Sequence, residues 1–185
     1  TALNFLQRMS GIATLTNKFV EAVSHTKAKI LDTRKTVPGL RLLDKEAVRL
    51  GGGQNHRIGL FDMFLIKDNH IEIAGSITNA VNACRTFQQK RNSDFKIEVE
   101  TKNLEEVKEA LACSVDIIML DNFKTELMKK AVTLINGKCL VEASGNITID
   151  NVKEVAETGV DFISVGALTH SVKALDISLE VELKK

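Results

Sequence analysis

Short apolar segments alternate with longer amphipathic ones along most of the chain, and this rhythm limits the fold more than any other feature of the sequence. A helix near Ser76–Arg91 leads to a strand at Lys96–Glu100, and a helix at Leu104–Ala112 leads to a strand at Asp116–Asp121. Lys124–Ile135 leads in the same way to Cys139–Ala143, and a helix near Thr148–Thr158 leads to Phe162–Val165. Two further apolar runs, Lys29–Asp32 and Asp62–Ile66, come before the series, with a brief helix near Leu42–Leu50 between them. The chain opens with a helix from Thr1 to about His25, in which Phe5, Met9, Ile12, Val20 and Val23 share a face. A last apolar stretch runs from Leu175 to Leu183. Strands of this length joined by helices form βαβ units and a parallel sheet. The expectation is an α/β fold with six or seven parallel strands in a single domain over residues 1–185. No linker or low-complexity segment interrupts it.

Nearly every expected strand ends in a polar or glycine group. Asp32 is followed by Arg34-Lys35, and the later ends are Lys67, Glu100, Asp121, Ser144-Gly145 and Gly166. In parallel α/β folds, ligands bind beyond the carboxyl ends of the strands. Two carboxylates, several cations and two glycine-containing turns on one face make a site for a polyanion with a divalent metal. Each piece also has a plainer use. Arg34 and Lys35 suit a solvated loop, Glu100 suits a surface ion pair, and Asp121 suits a helix cap. Ser144-Gly145-Asn146 suits either a cap or a phosphate cradle. His56 and His70 suit structural roles as well as functional ones, while His25 and His170 lean structural. Gly51-Gly52-Gly53 ends the brief helix and opens a flexible loop. Joint placement on one face favours the site.

Composition removes other classes. Lysines and arginines number 25 against 24 acidic residues, a net charge of +1. No global basic field exists for nucleic acid, so any anion site must be local. Tyrosine and tryptophan are missing and aromatics are 4%, which argues against base-stacking platforms. Cys84, Cys113 and Cys139 are odd in number and far apart. They suit buried thiols in a reducing cytosol rather than a disulfide framework or a zinc knuckle. No apolar run approaches the roughly 20 residues of a membrane span, and no signal peptide opens the chain.

Seven segments then match one family in order. Thr33-Arg34-Lys35-Thr36-Val37-Pro38-Gly39-Leu40-Arg41 resembles the T-R-K-T-x-P-G-x-R signature of quinolinate phosphoribosyltransferases. Gly51-Gly52-Gly53-Gln54-Asn55-His56-Arg57-Ile58-Gly59-Leu60 is similar to the family's G-G-G-x-x-H-R-x-G-L, and Ile66-Lys67-Asp68-Asn69-His70 to its K-D-N-H segment. Glu98-Val99-Glu100, Met119-Leu120-Asp121-Asn122, Glu142-Ala143-Ser144-Gly145-Asn146 and Ile163-Ser164-Val165-Gly166 follow in family order.

The resemblance implies an open, TIM-like α/β barrel of the type II phosphoribosyltransferases. It implies transfer of phosphoribosyl from phosphoribosyl pyrophosphate to quinolinate with decarboxylation, giving nicotinate mononucleotide, pyrophosphate and CO2, with Mg2+. It also implies a cytoplasmic homodimer or larger homo-oligomer. Family members carry an N-terminal α/β domain that covers the neighbouring barrel and lends it an arginine. That domain is absent from this chain, which on this reading is weakly active or inactive by itself. By resemblance, Arg34, His56, Arg57 and Lys67 hold quinolinate. Lys35, Glu100, Asp121, Ser144, Gly145, Gly166 and His170 hold the ribosyl donor. Glu100 and Asp121 hold the metal, directly or through water, and Lys67, Glu100 and Asp121 are the catalytic set. Alternatives sharing the fold are a nicotinate or nicotinamide phosphoribosyltransferase, a quinolinate-enzyme-like protein of molybdate transport systems, a catalytically silent barrel, and a lyase or aldolase using Lys67 as a Schiff base.

Overall fold

The computed structural model describes residues 2–182; Thr1 and Leu183, the outer ends of the two terminal segments expected above, lie outside it. In chain order the elements are α1 (Ala2–Val23), β1 (Lys29–Leu31), α2 (Arg41–Leu50), β2 (Phe64–Ile66), α3 (Asp68–Ala74), α4 (Ile77–Arg91) and β3 (Ile97–Thr101). There follow α5 (Leu104–Ala112), β4 (Ile117–Asp121), α6 (Thr125–Ile135), β5 (Leu140–Ser144), α7 (Val152–Ala156), β6 (Phe162–Ser164) and α8 (Ala167–His170). Local chemistry sets the ends of the helices. Ser76 Oγ accepts from the Asn79 amide at 3.0 Å at the start of α4, and Asn103 Oδ1 accepts from Glu106 at 2.9 Å at the start of α5. Asn92 and Asn136 take left-handed backbone to close α4 and α6.

All strand pairings are parallel, and the six strands lie in the order β1-β6-β5-β4-β3-β2. From β2 to β6 each strand pairs with the next in the chain, and β1 returns to β6. The sheet is therefore a barrel opened between β1 and β2. The loop after α2 fills the opening: Gln54 donates to Ile30 at 2.8 Å and accepts from Asp32 at 3.2 Å.

Strand registers divide the side chains into two faces. Ile30, Ile66, Val99, Ile118, Leu120, Val141, Ala143 and Ile163 point outward and are buried against Val81, Val107, Met128, Ala131, Ile135 and Val152 of the surrounding helices. The inward face carries Leu65, Glu98, Glu100, Ile117, Met119, Asp121, Glu142, Ser144 and Ser164. Oily outside and polar inside, the sheet has its apolar core between strands and helices, and its chemistry at the centre.

Three expectations change. No seventh strand forms among the described residues: from Val172 to Glu182 the chain is irregular, with Leu179 and Val181 exposed. It is tied to α1 by Leu175 donating to the Gln7 carbonyl and by Gln7 Nε2 donating to the Ile177 carbonyl. Lys67 is not only the end of a strand but the cap of α3, because its amide donates to His70 Nδ1 at 2.9 Å. And α7 is shorter than expected, since Thr148–Asn151 forms a turn closed by Asn151 Oδ1 on the Thr148 amide.

Gly51-Gly52-Gly53 is also not a loose hinge. A Cβ on Gly51 would stand 2.4 Å from the Ala13 carbonyl, and one on Gly53 would stand 2.8 Å from Thr16 Cγ2, so the turn is pressed against α1. Gly51→Ala should therefore push α2 off α1. The expected cost is about 1–3 kcal/mol, read as a melting temperature lowered by roughly 3–10 °C. An unchanged thermal melt would show that the contact gives way freely.

Candidate active site

A cavity of about 750 Å³ opens at the carboxyl ends of the strands. Every residue expected to hold a substrate lines it: Arg34, Lys35, His56, Arg57, Lys67, Glu100, Asp121, Ser144, Gly145, Gly166 and His170. They come from all six strand ends and from the loop that fills the opening. His25 and His70 do not line it: His25 sits on the surface beside Glu157 at 3.2 Å, and His70 caps α3.

Positive charge gathers on one side. The Arg34 Nε is buried without a hydrogen-bond partner among the described residues. Arg57 donates to the Met63 carbonyl at 3.2 Å. Burial, and then the positive charge of Arg34, pull the Arg57 pKa below its ordinary value. The two guanidiniums thus repel across a shared space. Lys67 is paired, its Nζ 2.5 Å from Glu100 Oε2. Arg41 fastens the two cation-bearing loops, donating to Thr36 Oγ1, to the Arg34 carbonyl and to the Ile58 carbonyl.

Small turns form the other side. Gly145 has φ +93°, and a Cβ there would stand 2.3 Å from Asn122 Oδ1. Asn122 Nδ2 in turn donates to Asp121 Oδ2 at 2.8 Å, so the β5 turn and the Asp121 carboxylate are set together. Gly166 lies under the His170 ring, where a Cβ would come within 3.0 Å of Cδ2. Thr169 Oγ1 donates to the Lys35 carbonyl at 2.9 Å and docks the β1 loop beside this turn.

Sequence reasoning missed the residues beneath the cavity. Glu98 and Glu142 are fully buried, and none of their four carboxylate oxygens has a well-directed hydrogen bond among the described residues. His56 Nε2 stands 3.0 Å from Glu98 Oε2 and 3.5 Å from Glu142 Oε2. These three residues have the composition of a metal site, with ligand-type atoms within 4.8 Å of one another. The tautomer argues otherwise. The Arg57 amide donates to His56 Nδ1 at 2.8 Å, so that nitrogen carries the lone pair and Nε2 carries the proton. A metal would need the Nε2 lone pair. The cluster is instead one whose carboxyls retain protons. With Nδ1 taken by the Arg57 amide and Nε2 turned toward the two glutamates, His56 meets the cavity with its ring. Their inward alternation with Glu100 and Ser144 was the available signal, and only the barrel's closure turns it into burial.

Burial raises both carboxyl pKa values well above the ordinary glutamate range, and for Glu142 the neighbouring Glu98 adds to the rise. A raised folded-state pKa means the proton is held more tightly when folded. The stability it contributes is complete below the ordinary glutamate pKa and is lost as pH rises through the raised value. Glu142→Gln keeps a donor for Glu98 and removes one ionisation. Its melting temperature should exceed the wild type's at about pH 9 and match it more nearly at about pH 6. A constant offset between the two melting profiles would rule out a proton retained on Glu142.

An open parallel barrel with unpaired guanidiniums, two strand-end carboxylates and glycine turns around one mouth defines the class: an α/β barrel with a built-in polyanion site. Residues 12–180 match the family described as quinolinate phosphoribosyl transferase, C-terminal domain. The chain is 55% identical to the chloroplastic nicotinate-nucleotide pyrophosphorylase [carboxylating] of Oryza sativa subsp. japonica, with 97% of this chain and 52% of that protein covered. It is 54% identical to the Arabidopsis thaliana protein of the same name, with 97% and 56% covered. Among solved structures, the nicotinate-nucleotide pyrophosphorylase of Francisella tularensis superposes with a TM-score of 0.93 at 52% identity, over 97% of this chain and 63% of that one. The chain belongs to the quinolinate phosphoribosyl transferase family. It spans 52–56% of the length of these two curated relatives.

Proposed function

We propose that this chain carries the site at which phosphoribosyl pyrophosphate and quinolinate give nicotinate mononucleotide, pyrophosphate and CO2, a step of NAD synthesis. The observation that carries the reading is the facing pair Arg34 and Arg57, two guanidiniums without carboxylate partners in one cavity. Quinolinate has two adjacent carboxylates, and an arginine fork binds a carboxylate through two parallel hydrogen bonds. His56 contributes a ring wall to this end of the cavity.

The ribosyl donor occupies the opposite side. Ser144, Gly145, Gly166 and His170 receive its 5′-phosphate, where the missing Cβ atoms admit an anion close to backbone amides. Lys35 faces its pyrophosphate. Glu100 and Asp121 fit Mg2+ by the chemistry of their donors, hard oxygens at neighbouring strand ends on the inward face. Glu100 would hold it with the oxygen that Lys67 leaves free, and Asp121 with the oxygen that Asn122 leaves free. When bound, the ion neutralises charge on the departing pyrophosphate.

The pyridine nitrogen attacks the anomeric carbon as the bond to pyrophosphate breaks. The adjacent carboxylate then leaves as CO2, its bonding electrons stay on the ring carbon, and a proton from water replaces it. Arg34, Arg57 and Lys67 stabilise the negative charge that develops there. Lys67 is catalytic on this reading, and Glu100 fixes the position of its ammonium.

We further place the protein in the cytoplasm as a homodimer or larger homo-oligomer. Free thiols at Cys84, Cys113 and Cys139 suit a reducing compartment. No helix among the described residues is long and apolar enough to cross a membrane. Leu42, Leu60 and Phe61 are 69, 72 and 68% exposed on α2 and the loop beside Arg57, which suits a partner at the rim of the cavity.

Calorimetric titration tests the substrate. Quinolinate should bind at least about tenfold more tightly than nicotinate, since losing one carboxylate leaves a guanidinium without its partner. Equal affinities would move the assignment to a mono-acid. Gly166→Val should raise the KM for phosphoribosyl pyrophosphate by about tenfold or more while leaving quinolinate affinity alone. The reverse pattern would place the phosphate elsewhere.

A further inference from the structure

Beneath the guanidinium side lies an ion pair that the proposed chemistry does not use. Asp32, at the end of β1, is fully buried, and Lys45 of α2 is 2% exposed. Lys45 Nζ donates to Asp32 Oδ1 at 2.5 Å and to the His56 carbonyl at 2.8 Å. The same Asp32 Oδ1 accepts the His56 amide at 2.9 Å. Asn55 Nδ2 donates to Asp32 Oδ2 at 2.7 Å and to the Lys45 carbonyl at 2.8 Å. Both backbone polar groups of His56 are thus tied to the ion pair.

Burial pushes the Asp32 carboxyl upward, and Lys45, the His56 amide and Asn55 pull it back. An ion pair this deep is weak evidence for stability, because desolvation offsets most of the attraction. Well-packed apolar residues of the same shape serve a core as well or better. What apolar residues cannot do is hold a loop by its amide and its carbonyl at once. The loop in question carries His56 and Arg57, and Asp32 lies two residues before Arg34, so one pair reaches both guanidiniums.

We infer that Asp32, Lys45 and Asn55 are positioning residues for the diacid end of the cavity. They hold the Asn55–Arg57 loop so that the Arg57 amide meets His56 Nδ1 and the Arg57 side chain faces Arg34. The inference rests on the reading of that end as the quinolinate site. The loop spans the opening between β1 and β2; Gln54 bridges to β1 on one side of His56 and Arg41 holds the Ile58 carbonyl on the other, which leaves His56 itself to the ion pair. A displacement of even about 1 Å at such a site reduces function on the order of a hundredfold.

The test separates holding a loop from holding a fold. Asp32→Leu with Lys45→Met replaces the pair by apolar side chains of nearly the same shape. The double variant should melt within about 5 °C of the wild type. Its affinity for quinolinate by calorimetry should fall at least about tenfold. The ring nitrogen shifts of 15N-labelled His56 should change from a single Nε2–H tautomer to a mixture. Asn55→Ala leaves the ion pair in place, removes one donor from the buried Asp32 carboxylate, and should weaken binding severalfold while the protein still melts cooperatively. A folded variant that binds quinolinate as the wild type does, with His56 in the wild-type tautomer, would overturn the inference and leave the pair a purely structural role. Should the double variant fail to fold, Asn55→Ala decides by itself. Should the wild type not bind quinolinate, the proposed function fails, and the His56 shifts still decide the positioning.

Discussion

The pleat of a parallel strand sends successive side chains to opposite faces, and in this sheet every register pair respects one division. Glu98 stands beside Leu65 and Ile117, Glu100 beside Met119, and Asp121 beside Ser144, all inward. Val99, Ile118, Leu120 and Ala143 stand outward in the core. A slip of one residue in any strand would bury carboxylates under helices and turn isoleucines into the cavity. The hydrophobic demand of the outer layer thereby fixes the height at which each polar group reaches the rim. Function depends on a register that packing enforces.

Charge is then arranged by depth. On the cavity floor, Glu98 and Glu142 are buried beside His56. Behind the lining, Asp32 and Lys45 neutralise each other. At the rim, Lys67 and Glu100 pair at 2.5 Å while Arg34 and Arg57 have no carboxylate partner among the described residues. Unpaired positive charge is left only where an outside molecule can reach it. A net charge of +1 for the whole chain hides this, because the local excess is cancelled elsewhere on the surface.

Much of this was legible in the sequence. The strand ends near Glu100 and Asp121 and the helices α4, α5 and α6 follow from the alternating apolar runs, whereas the caps Ser76 and Asn103 went unread. The cavity-lining residues follow from one rule, that parallel strands present their carboxyl ends to a ligand. The rest was hidden for physical reasons. Glu98 and Glu142 alternate with apolar neighbours as solvated residues of a half-exposed strand would, and only rolling the sheet makes the inward face an interior. Lys45 sits among charged residues on an amphipathic helix, where a lysine is ordinarily solvated. His70 read as structural and functional alike because its capping bond to Lys67 spans three residues and carries no periodic signature. Gly51-Gly52-Gly53 read as flexible because a glycine that avoids a neighbour looks the same in sequence as one that merely turns.

The repulsion between Arg34 and Arg57 gives the empty cavity a definite energetic character. Two half-buried like charges are held near each other by backbone anchors, with no carboxylate paired to either among the described residues, so the ligand-free state is strained at this point. A dianion relieves both charges at once, whereas a mono-anion leaves one uncompensated. Discrimination on the proposed reading therefore does not require extra contacts to the second carboxylate. It follows from the cost of leaving one guanidinium desolvated and alone, and that cost is larger the more firmly the loops are held. Rigid placement of the cations and selectivity for a diacid are one property: a loop free to swing its arginine into water would lose the strain and, with it, the preference.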